Sequence, residues 1–237
     1  MIAVIGDVHG CYYSLRDLVE KIRAKYQAVE IYCVGDLVDR GNHSCEVFEF
    51  MISEKIIFTP GNHDYMFYES IRNPGSQMAK AWKFNGGDPD LPSYKDNRDK
   101  LDKHLELIKG SKLFLNLDDA FISHAGISIE YQDQINEGVL EDEKKLDELL
   151  RKDLYGNNSI IWARGKLLNI GKLQIVGHTH RKETCFDETS NVLYIDTTAY
   201  GNNKLSAVIV EQNTLLDKIE QKTSADDIDK NWLSYNF

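Results

Sequence analysis

The chain has 237 residues, an ordinary length for one α/β domain and enough for two at most. Its 28 Lys and Arg residues against 38 Asp and Glu give a net charge of -10, which argues against a protein that binds nucleic acid by neutralising phosphates. Hydrophobic residues at 42% and charged residues at 28% argue against the disordered and membrane classes. The N-terminus lacks the basic start of a secretory signal, so we expect a cytoplasmic protein with no membrane or nucleic-acid partner.

Short β-rich runs alternate with helical patterns through the first third of the chain, which is typical of βαβ units around a largely parallel sheet. The apolar spacing of Leu15, Leu18, Val19 and Ile22 predicts a first helix, and a second is expected near 45–52. Strands are predicted at 1–5, 30–34, 56–59, 121–123, 173–176, 192–195 and 205–210.

Three further segments depart from this pattern within what we expect to be a single domain, 1–237. Residues 73–111 are rich in Lys, Asp, Gly and Pro, with one helical stretch, and are predicted to form an insertion or cap. A second helical insert is predicted at 141–154. From about 211 the chain reads as a polar tail, which Trp232, Tyr235 and Phe237 are expected to hold against the body.

Polar residues follow the predicted strands in a repeated design. They stand in the segments Gly6-Asp7-Val8-His9-Gly10, Gly35-Asp36-Leu37-Val38-Asp39-Arg40-Gly41, Gly61-Asn62-His63-Asp64, Ser123-His124-Ala125-Gly126 and Gly177-His178-Thr179-His180. Ligands of open α/β sheets bind beyond the carboxyl ends of the strands, so we expect these segments to converge. One such segment alone would be explained by the preference of Gly, Asp and Asn for turns. Together, however, the five segments hold five of the seven histidines, which indicates a shared site.

The convergent residue types indicate a metal site. Asp, Asn and His without Cys suit divalent ions such as Mn, Fe, Zn or Ni, and the number of candidate ligands predicts two ions, with Mn expected first. Two ions held close together need a shared carboxylate and lower the pKa of a shared water, which makes a nucleophile.

These segments resemble the phosphoprotein phosphatase family of the calcineurin-like metallophosphoesterase superfamily. The family signatures GDxHG, GDxVDRG and GNHE appear here as GDVHG, GDLVDRG and GNHD, and the likeness continues through VGHTH to about residue 201. The resemblance implies an α/β fold of two mixed β-sheets packed as a sandwich and flanked by helices, with a small helical cap insertion.

The resemblance also implies a role for each residue that matches a motif. Asp36 would bridge both metals. Asp7 and His9 would bind the first metal, with His180 joining them, and Asn62, His124 and His178 would complete the second.

Four other positions match the family's substrate-handling groups. Arg40 and Arg164 would grip phosphoryl oxygens, a task that suits the bidentate guanidinium. His63 would protonate the leaving oxygen, and Asp39 would pair with it and raise its pKa. Asp64 stands where the family usually has Glu.

The resemblance implies a phosphatase that hydrolyses phosphoserine or phosphothreonine monoesters in one step, by attack of a hydroxide shared between the metals. A bis(5'-nucleosyl)-tetraphosphatase is the first alternative, because those enzymes share the same motifs and differ mainly in the cap. A broader phosphodiesterase and a metal-stabilised binding module without catalysis are the others. The expected partner is therefore a phosphoprotein or a small phosphate ester, and the oligomeric state stays open.

Overall fold

The computed structural model describes residues 1–87 and 90–229, so the three aromatic residues predicted to hold the tail lie outside the described residues. Its strands form two sheets. One contains β1 (Ile2–Ile5), β2 (Glu30–Cys33), β3 (Ile57–Phe58), β9 (Lys204–Glu211) and β10 (Thr214–Lys222). The other contains β4 (Phe114–Asn116), β5 (Phe121–Ser123), β6 (Gln174–Val176), β7 (Cys185–Asp187) and β8 (Val192–Tyr194).

Both sheets are mixed. The first has the order β10-β9-β1-β2-β3, in which β1, β2 and β3 are parallel and β9 pairs antiparallel with β1. The second has the order β4-β5-β6-β8-β7, with a parallel centre and an antiparallel strand at each edge. The five segments predicted to bind metal follow the carboxyl ends of β1, β2, β3, β5 and β6, each of which has a parallel neighbour, and are called the metal loops below.

An apolar layer lies between the two sheets. Val4 and Val34 contribute to it from the first sheet, and Ile122 and Ile175 contribute from the second. Helices cover the outer faces: α1 (Tyr12–Lys25), α2 (Ser44–Ser53), α3 (Asn62–Arg72), α4 (Gln77–Phe84), α5 (Asp90–Ser93), α6 (Arg98–Gly110), α7 (Glu137–Leu140) and α8 (Glu143–Arg151). The predicted fold class, a sandwich of two mixed sheets flanked by helices, is confirmed.

The segment 73–111 contains three helices, α4 to α6, where the sequence predicted one helical stretch. Trp82 and Tyr94 from this segment both pack against Phe67 of α3, and Leu105 and Ile108 join the same buried cluster. The segment is therefore part of the main core.

Three strands were not predicted from the sequence. β4 and β7 have only three residues each, too short for an alternating pattern to be read. β10 lies in the segment expected to be a polar tail. It is an edge strand with exposed residues throughout its length, which explains its polar sequence.

The first turn of α1 is capped from the far end of the described chain. Cys11 at the N-cap position makes no side-chain capping bond, and instead the Asp227 carboxylate accepts the backbone N–H groups of Tyr13 and Ser14 at 2.9 and 2.8 Å. The Asp227 carbonyl accepts the N–H of Asn42 at 3.1 Å, in the loop that follows β2.

Among the described residues we find no helix with the length and apolar character needed to cross a bilayer.

Candidate metal centre

The loops that follow the parallel strands converge as predicted and bring ligand-type side chains together in two overlapping buried groups. His9, Asp36 and His63 form one group, and Asp7, Asp36 and His124 form the other; within each, the ligand atoms lie within 4.8 Å of one another. Asp36 belongs to both groups, which is the position that a bridging carboxylate needs.

Asp36 is held by contacts on both of its oxygens. Its Oδ2 lies 3.5 Å from His9 Nε2 and 3.4 Å from His124 Nε2, while Oδ1 accepts the backbone N–H of His63 at 3.0 Å. Burial raises the pKa of Asp36 to about 7. A buried carboxylate without a cation is costly to ionise, so this position favours a bound metal.

Asp7 supplies a direct test of whether the site fits a metal. Its Oδ2 accepts the backbone N–H of His178 at 3.0 Å, but its buried Oδ1 has no hydrogen-bond partner among the described residues. Burial, then the charges of Asp196 and Asp36, raise the pKa of Asp7 well above its usual value. An unpartnered carboxylate oxygen beside other carboxylates is an arrangement that a divalent cation satisfies.

Backbone carbonyls orient two of the histidines. His9 Nδ1 donates to Val38 O and His124 Nδ1 donates to Val34 O, both at 2.9 Å, so each Nε2 carries a lone pair directed at the site. Burial lowers the pKa of His9 well below its usual value and that of His124 to about 4, which keeps both rings neutral. Neutral imidazole is the form that binds metals.

Asn62 faces His124 across the centre. Its Oδ1 lies 3.0 Å from His124 Nε2. Because the His124 proton is on Nδ1, two acceptor atoms face one another here with no proton between them, a contact that a shared cation would relieve. Asn62 is the first residue of α3, which fixes its place at the end of the loop after β3.

His178 and His180 occupy different environments. His178 is buried, its ring lies 5.1 Å from that of His124, and its Nε2 donates to Trp162 O at 3.2 Å, which leaves Nδ1 as the acceptor. His180 is exposed and lies outside both buried groups. The structure thus brings His178 to the centre, and the role of His180 as a ligand stays a prediction.

His63 and Asp39 form the predicted pair. His63 Nδ1 donates to Asp39 Oδ2, and both side chains are buried. The expectation that Asp39 raises the pKa of His63 was wrong in direction: burial and then the positive charge of Arg40 lower it well below its usual value. The imidazole is therefore neutral before an anion binds.

The two predicted arginines lie at the centre but differ in burial. Arg40 places Nη1 at 2.8 Å from His9 Nε2 and Nη2 at 2.8 Å from His63 Nε2, and its guanidinium stacks 4.3 Å over the Tyr200 ring. Arg164 is exposed and donates to the His178 carbonyl at 3.3 Å. The guanidinium of Arg40 therefore contacts both His9 and His63, and that of Arg164 faces solvent.

The backbone at the centre is strained. Asp36, Asp39 and Arg40 have φ values of 48°, 70° and 73°, and His9 and His178 have 46° and 60°. Residues with side chains rarely adopt this left-handed region, at a cost of roughly 1–3 kcal/mol each, and such residues cluster at functional sites. Five such residues in the predicted loops therefore support a functional site here, independently of the sequence motifs.

Sequence reasoning gave no role to Asp196 and noted Asp64 only because it stands where the family usually has Glu, and both are buried acids at the centre. Asp196 follows β8, and its Oδ1 accepts the N–H of Thr198 at 2.9 Å. After burial, the charge of Asp196 has the largest effect on the pKa of Asp7, which it raises. Its position directly after a strand was an available signal. Asp64 accepts the backbone N–H groups of Leu37 and Gly61 at 2.9 and 2.8 Å, and so ties together the loops of Asp36 and Asn62.

Comparisons with known proteins agree with this geometry. The family model for calcineurin-like phosphoesterases matches residues 1–182. Among curated proteins, the chain is 29% identical to the asymmetrical bis(5'-nucleosyl)-tetraphosphatase PrpE of Bacillus cereus (strain Q1) and 30% identical to that of Bacillus anthracis (strain CDC 684). Each alignment covers 86% of this chain and 88% of the relative.

A solved structure provisionally described as a diadenosine tetraphosphatase has the same fold, with a TM-score of 0.60 and 16% identity over 94% of both chains. The buried ligand groups fit the two divalent metals typical of the family. The superfamily assignment made from the motifs is confirmed, and the chain is a hydrolase of phosphate esters. It belongs to the calcineurin-like phosphoesterase family.

Proposed function

We propose that this protein is a two-metal hydrolase that cleaves bis(5'-nucleosyl) tetraphosphates asymmetrically, into a nucleoside triphosphate and a nucleoside monophosphate. The observation that carries the proposal is the extent of the likeness to the PrpE enzymes, which covers 86% of this chain and 88% of theirs. The metal loops alone are shared with serine/threonine phosphatases, so they do not separate the two substrates. A likeness that covers 86% of this chain extends well beyond the metal loops and favours the alternative over the phosphoprotein substrate expected first.

For the two ions we propose the ligand sets that the sequence resemblance implies, and the convergence of these buried side chains on Asp36 supports them. Asp36 would bridge the two, Asp7 and His9 would hold the first, and the second would be held by Asn62, His124 and His178. Oxygen and nitrogen donors without thiolate suit Mn²⁺, which we propose as the working metal. Two such ions, when bound, lower the pKa of a water molecule and supply hydroxide near neutral pH.

Substrate phosphate would change the contacts of Arg40. Its two Nη atoms now lie against the lone pairs of His9 and His63, and a phosphoryl anion is a stronger acceptor for both of them. Burial lowers the pKa of His63 most, and the positive charge of Arg40 adds to that effect. When Arg40 turns to the anion, its contribution would be neutralised. His63, held by Asp39, would then take up a proton on Nε2 and give it to the leaving oxygen.

A competition assay tests the substrate. Diadenosine tetraphosphate and a phosphothreonine peptide are offered at equal concentration with Mn²⁺, and Asp36→Asn serves as the control that must lose all activity. We expect ATP and AMP as the main products. Excess orthophosphate from the peptide would overturn the proposal in favour of a protein phosphatase, and ADP as the main product would contradict asymmetrical cleavage. Faster turnover of bis-p-nitrophenyl phosphate than of either substrate would favour a broader phosphodiesterase.

A further inference from the structure

Trp82 bridges two buried carboxylates with a single N–H group. Its indole Nε1 lies 2.8 Å from Asp39 Oδ1 and 3.3 Å from Asp90 Oδ2. Asp39 and Asp90 are fully buried and Trp82 is nearly so. Trp82 and Asp90 come from the segment 73–111, whereas Asp39 lies on the loop after β2, so this contact joins the segment to the His63 pair.

Asp90 holds the backbone of Asp39 as well. Its Oδ1 accepts the N–H of Asp39 at 3.0 Å and also accepts the hydroxyl of Ser44. Asp39 has a φ of 70°, which a residue with a side chain adopts only when its surroundings hold it there. Both the backbone and the carboxylate of Asp39 are therefore fixed from the segment 73–111.

A tight turn at Gly86-Gly87 packs against the indole ring of Trp82. A Cβ atom at Gly87 would lie 2.1 Å from Trp82 Cε2, so only glycine lets the backbone approach the ring this closely. The preceding Gly86 accepts the N–H of Arg40 at 2.8 Å through its carbonyl. The same turn thus places Trp82 against Asp39 and anchors the adjacent Arg40.

We propose that Trp82 is a positioning residue for the general acid. By occupying Oδ1 of Asp39 it leaves Oδ2 for the Nδ1–H of His63, which turns His63 Nε2 towards the substrate. As the bond between phosphorus and the leaving oxygen breaks, its electron pair stays on that oxygen, which takes the proton from Nε2. This inference rests on the proposed function, in which His63 is that acid.

The test uses leaving groups that differ in their need for a proton. Trp82→Phe removes the N–H and keeps an aromatic ring, and kcat is compared on p-nitrophenyl phosphate, which needs little acid catalysis, and on phenyl phosphate, which needs more. We expect kcat on phenyl phosphate to fall about 10-fold further than on p-nitrophenyl phosphate. Tyr94→Phe is the matched control, because Tyr94 also packs on Phe67 and loses a buried hydrogen bond, to His104, away from the site.

Trp82→His separates positioning from packing. Histidine fills less space than phenylalanine but keeps a ring N–H. The proposal therefore predicts that kcat on phenyl phosphate, relative to kcat on p-nitrophenyl phosphate, is higher for Trp82→His than for Trp82→Phe. A packing role predicts that it is worse than Trp82→Phe on both substrates, and that result would overturn the proposal.

His63→Asn, measured in parallel, distinguishes failure of this inference from failure of the proposed function. If His63→Asn loses phenyl phosphate turnover selectively and Trp82→Phe does not, the proposed acid stands and Trp82 has no positioning role. If His63→Asn slows both substrates equally, the acid assignment itself is wrong and the inference falls with it.

Discussion

Asp7 accepts the backbone N–H of His178 at 3.0 Å, although the two residues follow strands of different sheets. The bond occupies Oδ2 of Asp7 and leaves Oδ1 as a buried acceptor without a partner among the described residues. The candidate metal centre therefore lies where the carboxyl ends of strands from both sheets meet, and its geometry depends on how the two sheets pack against each other.

Asp7→Asn should remove one metal ion while the fold is kept. The amide can still accept the His178 N–H through its oxygen, but its NH₂ group then faces the site in place of an anionic ligand. We expect the metal content to fall from about two ions to about one per chain, with activity lost in parallel. Elemental analysis after dialysis measures this. Two ions retained at full occupancy would show that Asp7 is not a ligand.

Gly177→Ala should disturb the same contact from the other side. An added Cβ would lie 1.8 Å from Asp7 Oδ1, so either the carboxylate or the loop must move. We expect a loss of about 1–3 kcal/mol in the free energy of unfolding, together with weaker metal binding. The control is Gly75→Ala, where an added Cβ meets nothing within 4 Å. Equal effects of the two substitutions, by thermal denaturation with and without Mn²⁺, would contradict this prediction.

Asp64→Asn should weaken both the fold and the metal site. Its carboxylate accepts two backbone N–H groups, from Leu37 and Gly61, and an amide can accept only one of them. The unpaired buried donor should cost about 1–3 kcal/mol of stability, and metal affinity should fall about 10- to 100-fold. Asp64→Glu, which restores the residue usual in the phosphoprotein phosphatases, is the comparison. A neutral result for Asp64→Asn would mean that the loops are held by other contacts.

Metal binding should weaken as the pH falls through about 7. Burial raises the pKa of Asp36 to about 7, so in the metal-free protein this carboxyl is protonated below that pH and ionised above it. Below it, a metal ion must displace the proton, which costs up to about tenfold in affinity per pH unit. Titration calorimetry with Mn²⁺ in buffers of different ionisation enthalpy should show more proton release near pH 6 than near pH 8. Equal proton release at the two pH values would contradict the prediction that Mn²⁺ displaces a proton from Asp36.

Much of the site was predictable because its residues sit in short motifs directly after strands. Asp7, Asp36 and His124 needed only the rule that parallel strands end at the same edge. The support around them could not be predicted in the same way. Trp82 and Asp90 reach Asp39 from a segment more than 40 positions along the chain, and nothing local marks that contact.

The pKa of His63 shows a second limit of sequence reasoning. The Asp39 pair was predicted correctly, but the direction of the shift depends on burial and on where Arg40 lies, and neither can be read from a motif. The fold shows the same pattern. Buried parallel strands such as β2 were found by their apolar runs, whereas edge strands such as β10 have the composition of a loop.

The pairing of β9 with β1 has a consequence for biosynthesis. The N-terminal strand that carries Asp7 and His9 is flanked on one side by a strand that begins at Lys204, and α1 receives its cap from Asp227. A nascent chain that has exposed all five predicted metal loops still lacks both of these supports. We therefore expect the centre to be completed only when residues 204–227 have left the ribosome, so that divalent ions present earlier would meet ligands not yet arranged to hold them.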